Sequence, residues 1–212
     1  SEAELEILEP YRGQIPDRVF TEEFVPPETD GSGNNRGNLK KAAMLLKDAG
    51  WSIKNKVLTN DDTGEVFAFE IVLRSSQLEP HSQALVRSLE RLGIKATIRV
   101  VDDAQYRRLT ETFDFDMMVA VFAQSVSPGN EQREFWSSAS AAREGSRNLM
   151  GITDPAIDEL VELLIAAPDR ESLITRTRAL DRVLLWNFFM IPMFHSETDR
   201  LAYWNRFGLP DI

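Results

Sequence analysis

Val66-Phe67-Ala68-Phe69-Glu70-Ile71-Val72-Leu73 is the stretch whose reading decides the fold. Phe67, Phe69, Ile71 and Leu73 alternate onto one face, the signature of a half-buried strand. Downstream, Pro80 to Leu92 carries Ala84, Leu85, Leu89 and Leu92 at helical spacing, and Gly93 ends it. Ile94 to Val101 alternates again through Ile94, Ala96, Ile98 and Val100. A short helix from Asp103 to Glu111 leads to Asp116–Ala123, which is apolar at nearly every position. That last pattern suits a buried central strand. The order β-α-β-α-β predicts an α/β sheet with helical crossovers.

Upstream of this stretch, Trp51 to Leu58 is a weaker strand candidate, and the turn Asn60-Asp61-Asp62-Thr63-Gly64 predicts a hairpin. Before it, Leu39, Ala42, Ala43, Leu45 and Leu46 form a helical stripe, with Asn38 as N-cap and Gly50 at C′. Residues 1–37 read as an irregular lead-in. Pro10, Pro16, Pro26 and Pro27 interrupt any long helix there, and Thr29 to Asn35 is a dense turn cluster. Residues 38–212 then form the α/β body. In its second half, Asn130 to Ser137 is a short helix. Pro155 to Ala166 is a strong helix, with Asp154 as N-cap and Pro155 at N1. Arg170 to Asn187 is another, and Phe188–Phe194 and Thr198–Trp204 read as a closing strand pair.

The 212 residues carry 24 basic and 34 acidic side chains, a formal net charge of -10. A surface of that sign repels phosphate backbones and anionic lipid, which argues against nucleic-acid and membrane-surface partners. With no cysteine, disulfides, thiolate metal sites and a Cys nucleophile are excluded. No apolar run is long enough to cross a bilayer. The chain opens Ser1-Glu2-Ala3-Glu4 without Met or secretory signal, as expected of a processed or truncated product.

Catalysis finds little support. The two histidines, His81 and His195, lie in neither a G-x-S-x-G elbow nor an H-E-x-x-H helix. Asp102-Asp103 and Asp114-Phe115-Asp116 do not follow a calcium-loop pattern and read as caps and solvated turns, so no metal or cofactor is expected. Gly31 to Gly37 is glycine-rich, but no strand precedes it, so it reads as a surface loop rather than a phosphate cradle. The loop Gln124 to Asn130 is different, because it follows the carboxyl end of a strand. Ligands of open α/β sheets bind in crevices at such ends, although an ordinary strand-to-helix connection has the same address. Phe135 and Trp136 are pocket or core aromatics, and Trp186, Phe188 and Phe189 read as core.

Four short motifs, in this order and spacing, carry a resemblance. They are Ala42-Ala43-Met44-Leu45-Leu46-Lys47-Asp48-Ala49-Gly50-Trp51, Leu89-Glu90-Arg91-Leu92-Gly93-Ile94-Lys95, Phe113-Asp114-Phe115-Asp116-Met117, and the "N-x-x-G-x-x-D-P-x-x-D" segment Asn148 to Asp158. Together they resemble the C-terminal lobe of the family 5 extracellular solute-binding proteins, the peptide, opine and nickel receptors of bacterial ABC importers. Leu8 to Arg12 and Thr29 to Gly33 look closest to the microcin C (Yej-type) peptide receptors.

The resemblance implies a type II periplasmic binding protein lobe, with a mixed sheet flanked by helices. It implies a periplasmic protein without catalysis that captures peptides and hands them to ABC permease subunits. It implies a partner N-terminal lobe absent from this chain, with the ligand between the lobes. The cleft positions it implies are Ala123, Gln124, Ser125, Val126, Ser127, Pro128, Gly129, Asn130, Trp136, Asn148, Met150 and Gly151. In the oligopeptide branch an Asp four residues before a Pro pairs with the ligand's free amino terminus. Counting back from Pro128, that position is Gln124, and a neutral amide cannot form that charge-assisted bond. The expectation is a receptor that accepts N-blocked or longer peptides. The rivals are an opine or nickel-chelate receptor of the same family and, from another class, a hydrolase using the same crevice.

Overall fold

A computed structural model describes residues 1–193 together with Thr198, Ala202, Trp204 and Arg206. The predicted β-α-β-α-β unit is present: β3 (Ala68–Leu73), α4 (Glu79–Glu90), β4 (Lys95–Val100), α5 (Asp103–Thr112) and β5 (Met117–Met118). Both β4 and β5 run parallel to β3, in the order β4-β3-β5. The alternating strand therefore sits in the middle. Val72 and Leu73 have no solvent exposure and Ile71 only 2%.

This corrects the expectation for Asp116–Ala123. Among the described residues only Met117 and Met118 pair in the ladder, opposite Ile71 and Val72, and β5 lies at the edge of the three-stranded order. Its continuation carries no strand pairing among the described residues, and Val121 is 85% exposed. Its uniform apolarity reflects two different faces: Met117 and Val119 pack on the α4 side of the sheet, while Met118 packs on the α5 side.

The segment read as one strand before β3 is a tight hairpin, β1 (Trp51–Lys54) and β2 (Val57–Asn60). Its turn is Asn55-Lys56, both at positive φ (53° and 67°), the geometry whose twist suits a two-residue hairpin. The Asn60–Gly64 turn then joins β2 to the approach of β3, through an antiparallel bridge between Thr59 and Val66. The mixed character of the sheet region arises here. Gly93 locks the hairpin to the sheet. Its carbonyl accepts from Leu58 N at 2.8 Å, and at φ +79° an added Cβ would meet that same nitrogen at 2.8 Å.

Helix α3 (Arg36–Asp48) covers the hairpin with Leu39, Ala42 and Leu46, and Gly50 follows it at φ +81°. It starts before the expected cap. Asn35 occupies the N-cap position, and Asn38 instead donates to the Glu28 carbonyl at 2.9 Å.

The lead-in differs from its reading as irregular. Residues 1–21 hold α1 (Glu2–Leu8), a 3-10 turn (Glu9–Tyr11) and α2 (Arg18–Thr21). Pro10 falls in the first turn of that 3-10 segment, where a missing N–H costs nothing. Leu8, Ile15 and Val19 enter the main core. Residues 22–35 carry neither helix nor strand.

That core is helical. It is built from α6 (Gln132–Trp136), α7 (Ser138–Ala141), α8 (Pro155–Ile165) and α9 (Arg170–Trp186), with the first two helices laid against α9. Ile157, Val161 and Val183 are fully buried, and Leu160 and Leu164 nearly so; each such side chain contributes about 1.5–3 kcal/mol of burial free energy. Arg182 on α9 donates Nε to the Val19 carbonyl at 2.5 Å and Nη2 to the Glu22 carbonyl at 3.2 Å, which satisfies the open end of α2. Residues 188–193 form no strand, and the rest of the expected closing pair lies outside the described residues, apart from the isolated positions Thr198, Ala202 and Trp204.

Candidate functional site

The chain leaving β5 is held at successive points. The Tyr106 hydroxyl donates to the Val119 carbonyl at 2.7 Å. The Phe122 ring stacks on Trp136 at 5.8 Å and tilts against Phe135 at 5.5 Å, which moors the strand end to the helical core. Beyond it, the loop is tied down only by polar contacts. Ser127 N donates to Ser125 Oγ at 3.2 Å, and Gly129 N donates to Glu131 Oε1 at 2.9 Å. The backbone N–H groups of Glu131 itself and of Gly129 hold the Glu131 carboxyl below its ordinary range. From across the gap, Arg170 at the start of α9 donates Nη1 to the Val126 carbonyl and to Ser127 Oγ at 3.1 Å.

A groove of about 720 Å³ lies between this loop and α9. Phe122, Gln124, Ser125, Val126 and Pro128 form one wall, with Gln132 and Trp136 from α6 at its back. The other wall is α9 (Arg170, Leu173, Ile174, Thr177, Arg178, Asp181, Leu184 and Leu185), continued by Phe189, Met190 and Pro192. Apolar side chains dominate, with a few polar groups at the rim, the usual composition of a small-ligand site. Crowding by these neighbours pushes the Asp181 carboxyl up, and it has no hydrogen-bond or ion-pair partner among the described residues.

Of the residues that sequence reasoning singles out, Gln124, Ser125, Val126, Pro128 and Trp136 line the groove. Ala123, Ser127, Gly129 and Asn130 belong to the same loop but not to the groove wall.

Asn148, Met150 and Gly151 lie elsewhere. Asn148 has no solvent exposure. Its Nδ2 donates to the carbonyls of Ser137 and Ile152 at 3.0 and 2.9 Å, and its Oδ1 accepts from Ile152 N at 2.9 Å. Gly151 completes this turn at φ +64°, and Met150 packs on the helical core. Two residues further, Asp154 caps α8 by accepting from Ala156 N at 2.8 Å, and Asp158 accepts from Ser138 N at 2.7 Å. The "N-x-x-G-x-x-D-P-x-x-D" segment is thus a clip that fixes α7 to α8. His81 is exposed on α4, and His195 lies outside the described residues.

The α9 wall escapes the sequence reading, which takes Arg170 to Asn187 as a helix without assigning it to a cleft. The signal was available. Ile174 and Leu185 extend the apolar surface of α9 past the single stripe that Ala179, Leu180, Val183 and Trp186 need for the core.

Comparison with known proteins gives a consistent picture. The family model described as bacterial extracellular solute-binding proteins, family 5 Middle, matches residues 11–144. The probable peptide-binding protein YejA of Agrobacterium fabrum is 43% identical over 208 residues, covering 98% of this chain and 34% of that protein. The peptidoglycan-binding protein YepA of the same organism is 36% identical over 211 residues, covering 100% and 34%. The chain thus spans about a third of the length of the curated relatives it matches. Among solved structures, the oligopeptide-binding protein AppA of Bacillus subtilis, in complex with a nonapeptide, superposes with a TM-score of 0.63 at 19% identity. That match covers 88% of this chain and 38% of AppA.

Proposed function

The chain belongs to the family 5 bacterial extracellular solute-binding proteins, and from that premise we propose that it forms the C-terminal ligand-binding lobe of a peptide receptor. In this reading residues 38–212 are the lobe and residues 1–37 the segment that enters it. The whole receptor works in the periplasm, closes a second lobe over a peptide, and delivers it to the permease subunits of an ABC importer. The single observation that carries the reading is the groove between the loop after β5 and α9. It joins an apolar floor to hydrogen-bonding groups on a loop, the arrangement that holds a peptide main chain while tolerating varied side chains. The loop Ala123 to Asn130 frames the cleft, with Gln124, Ser125, Val126 and Pro128 facing the groove and Trp136 behind them. Because Gln124 is neutral, the receptor accepts peptides whose amino terminus is blocked.

The receptor binds its ligand without transforming it. The support for this reading is that, among the described residues, the groove contains no histidine and no hydroxyl paired to a base. One relative is a peptidoglycan-binding protein, which favours a second reading in which the captured ligand is a peptidoglycan fragment. Native mass spectrometry of the natural full-length polypeptide, purified without refolding, separates the readings. Co-purified peptides are the expected result, and sugar-bearing masses select the second reading. A metal chelate or an opine overturns both.

A further inference from the structure

Gln124, Gln132 and Trp136 form a hydrogen-bond relay whose direction is set at its buried end. Trp136 is 6% exposed and Gln132 is 4% exposed. The indole N–H can only donate, so the Gln132 oxygen must be the group that accepts from Trp136 Nε1 at 2.8 Å. Gln132 therefore turns its amide nitrogen the other way. That nitrogen donates to Gln124 Oε1 at 2.8 Å and to Glu131 Oε1 at 3.3 Å. An ionised carboxylate only accepts, so Glu131 enforces the same orientation independently. The oxygen of Gln124 is thus occupied from behind. Its amide nitrogen has no partner among the described residues, and the residue lines the groove.

Resting on the peptide-receptor reading above, we propose that Gln124 is a specificity-determining residue that presents N–H donors to the ligand and so selects a carbonyl or carboxylate oxygen. Gln132 and Trp136 are its positioning residues. An amide free to flip would offer a ligand either a donor or an acceptor. The relay removes that choice, because flipping Gln124 would set its nitrogen against the Gln132 nitrogen. Two donors would then face each other, with a buried amide left unpaired. The Gln124 N–H groups cannot accept from an ammonium but match an acyl carbonyl, so at this side chain a free amino terminus is disfavoured.

Titration calorimetry on the natural full-length receptor tests this with three probes: trialanine, N-acetyl-trialanine and trialanine amide. The variants are Gln124→Met, which removes the donors without adding charge, and Gln124→Glu, which replaces them with acceptors. The wild type is expected to bind the acetylated peptide about tenfold tighter than trialanine. Gln124→Met should lose that preference and Gln124→Glu reverse it, and the melting temperatures of both variants check that the fold survives the change at the Gln132 contact. If amidation rather than acetylation produces the Gln124-dependent change, the oxygen read is the terminal carboxylate and the donor role stands. An affinity ratio that neither variant moves overturns the inference while leaving a peptide receptor intact. Failure of the wild type to bind any of the three overturns the peptide-receptor reading, and the inference with it.

Discussion

Asn148 shows how one buried polar residue can organise a connection. Its side chain bonds both the N–H and the carbonyl of Ile152 and reaches across to the Ser137 carbonyl at the start of α7, so one buried amide ties the turn to that helix. Leu has the same branched side-chain skeleton but is bulkier and makes none of these bonds, so Asn148→Leu should cost about 3 kcal/mol or more. Chemical denaturation measures it, and a loss below about 1 kcal/mol would contradict the role. Asp181 makes the opposite case. Crowding by its apolar neighbours raises its folded pKa, so the ionised form opposes folding. That cost is full above the raised value and disappears as pH falls below the unfolded value. Asp181→Asn should therefore stabilise the protein near neutral pH and flatten the acid side of its stability–pH profile. The gain is small because the side chain still reaches water. Unchanged neutral-pH stability would show that the carboxyl is solvated.

At the scale of elements, strands and caps with local causes were legible in the sequence. The alternation of Phe67, Phe69, Ile71 and Leu73 identified β3, and Asp154 with Pro155 marked the start of α8. The errors arose where tertiary context decides. Asp116–Ala123 has the composition of a central strand but, among the described residues, one neighbouring strand to pair with. Residues 1–21 lack periodicity because each short helix buries only one or two apolar side chains, and Arg182, far away in sequence, caps the second. The loop after β5 was placed correctly from its position at a strand end, whereas its restraint by Arg170 spans more than forty residues and leaves no local signal. Arg170→Ala should leave global stability within about 0.5 kcal/mol, since the contact is exposed. It should speed amide exchange around Val126 and Ser127 and weaken ligand binding through faster dissociation. Unchanged exchange in that loop would show that Arg170 does not hold it.

At the scale of the molecule, a parallel sheet and a helical core meet at the strand end moored by Phe122, and the groove opens beside that junction. One wall is a loop on polar tethers and the other a rigid seventeen-residue helix. In the proposed reading, a ligand in the groove would bridge this loop and this helix before a second lobe closes. Order and spacing of motifs carried the family reading from sequence. The α9 wall needed coordinates, because a helix with two apolar faces looks like core until its neighbours are known. The most direct test of the account is hydrogen–deuterium exchange on the full-length receptor, with and without N-acetyl-trialanine. The account predicts that the peptide protects residues 123–130 and the first three turns of α9 together. Protection confined to other surfaces, with this loop and helix unchanged, would contradict it.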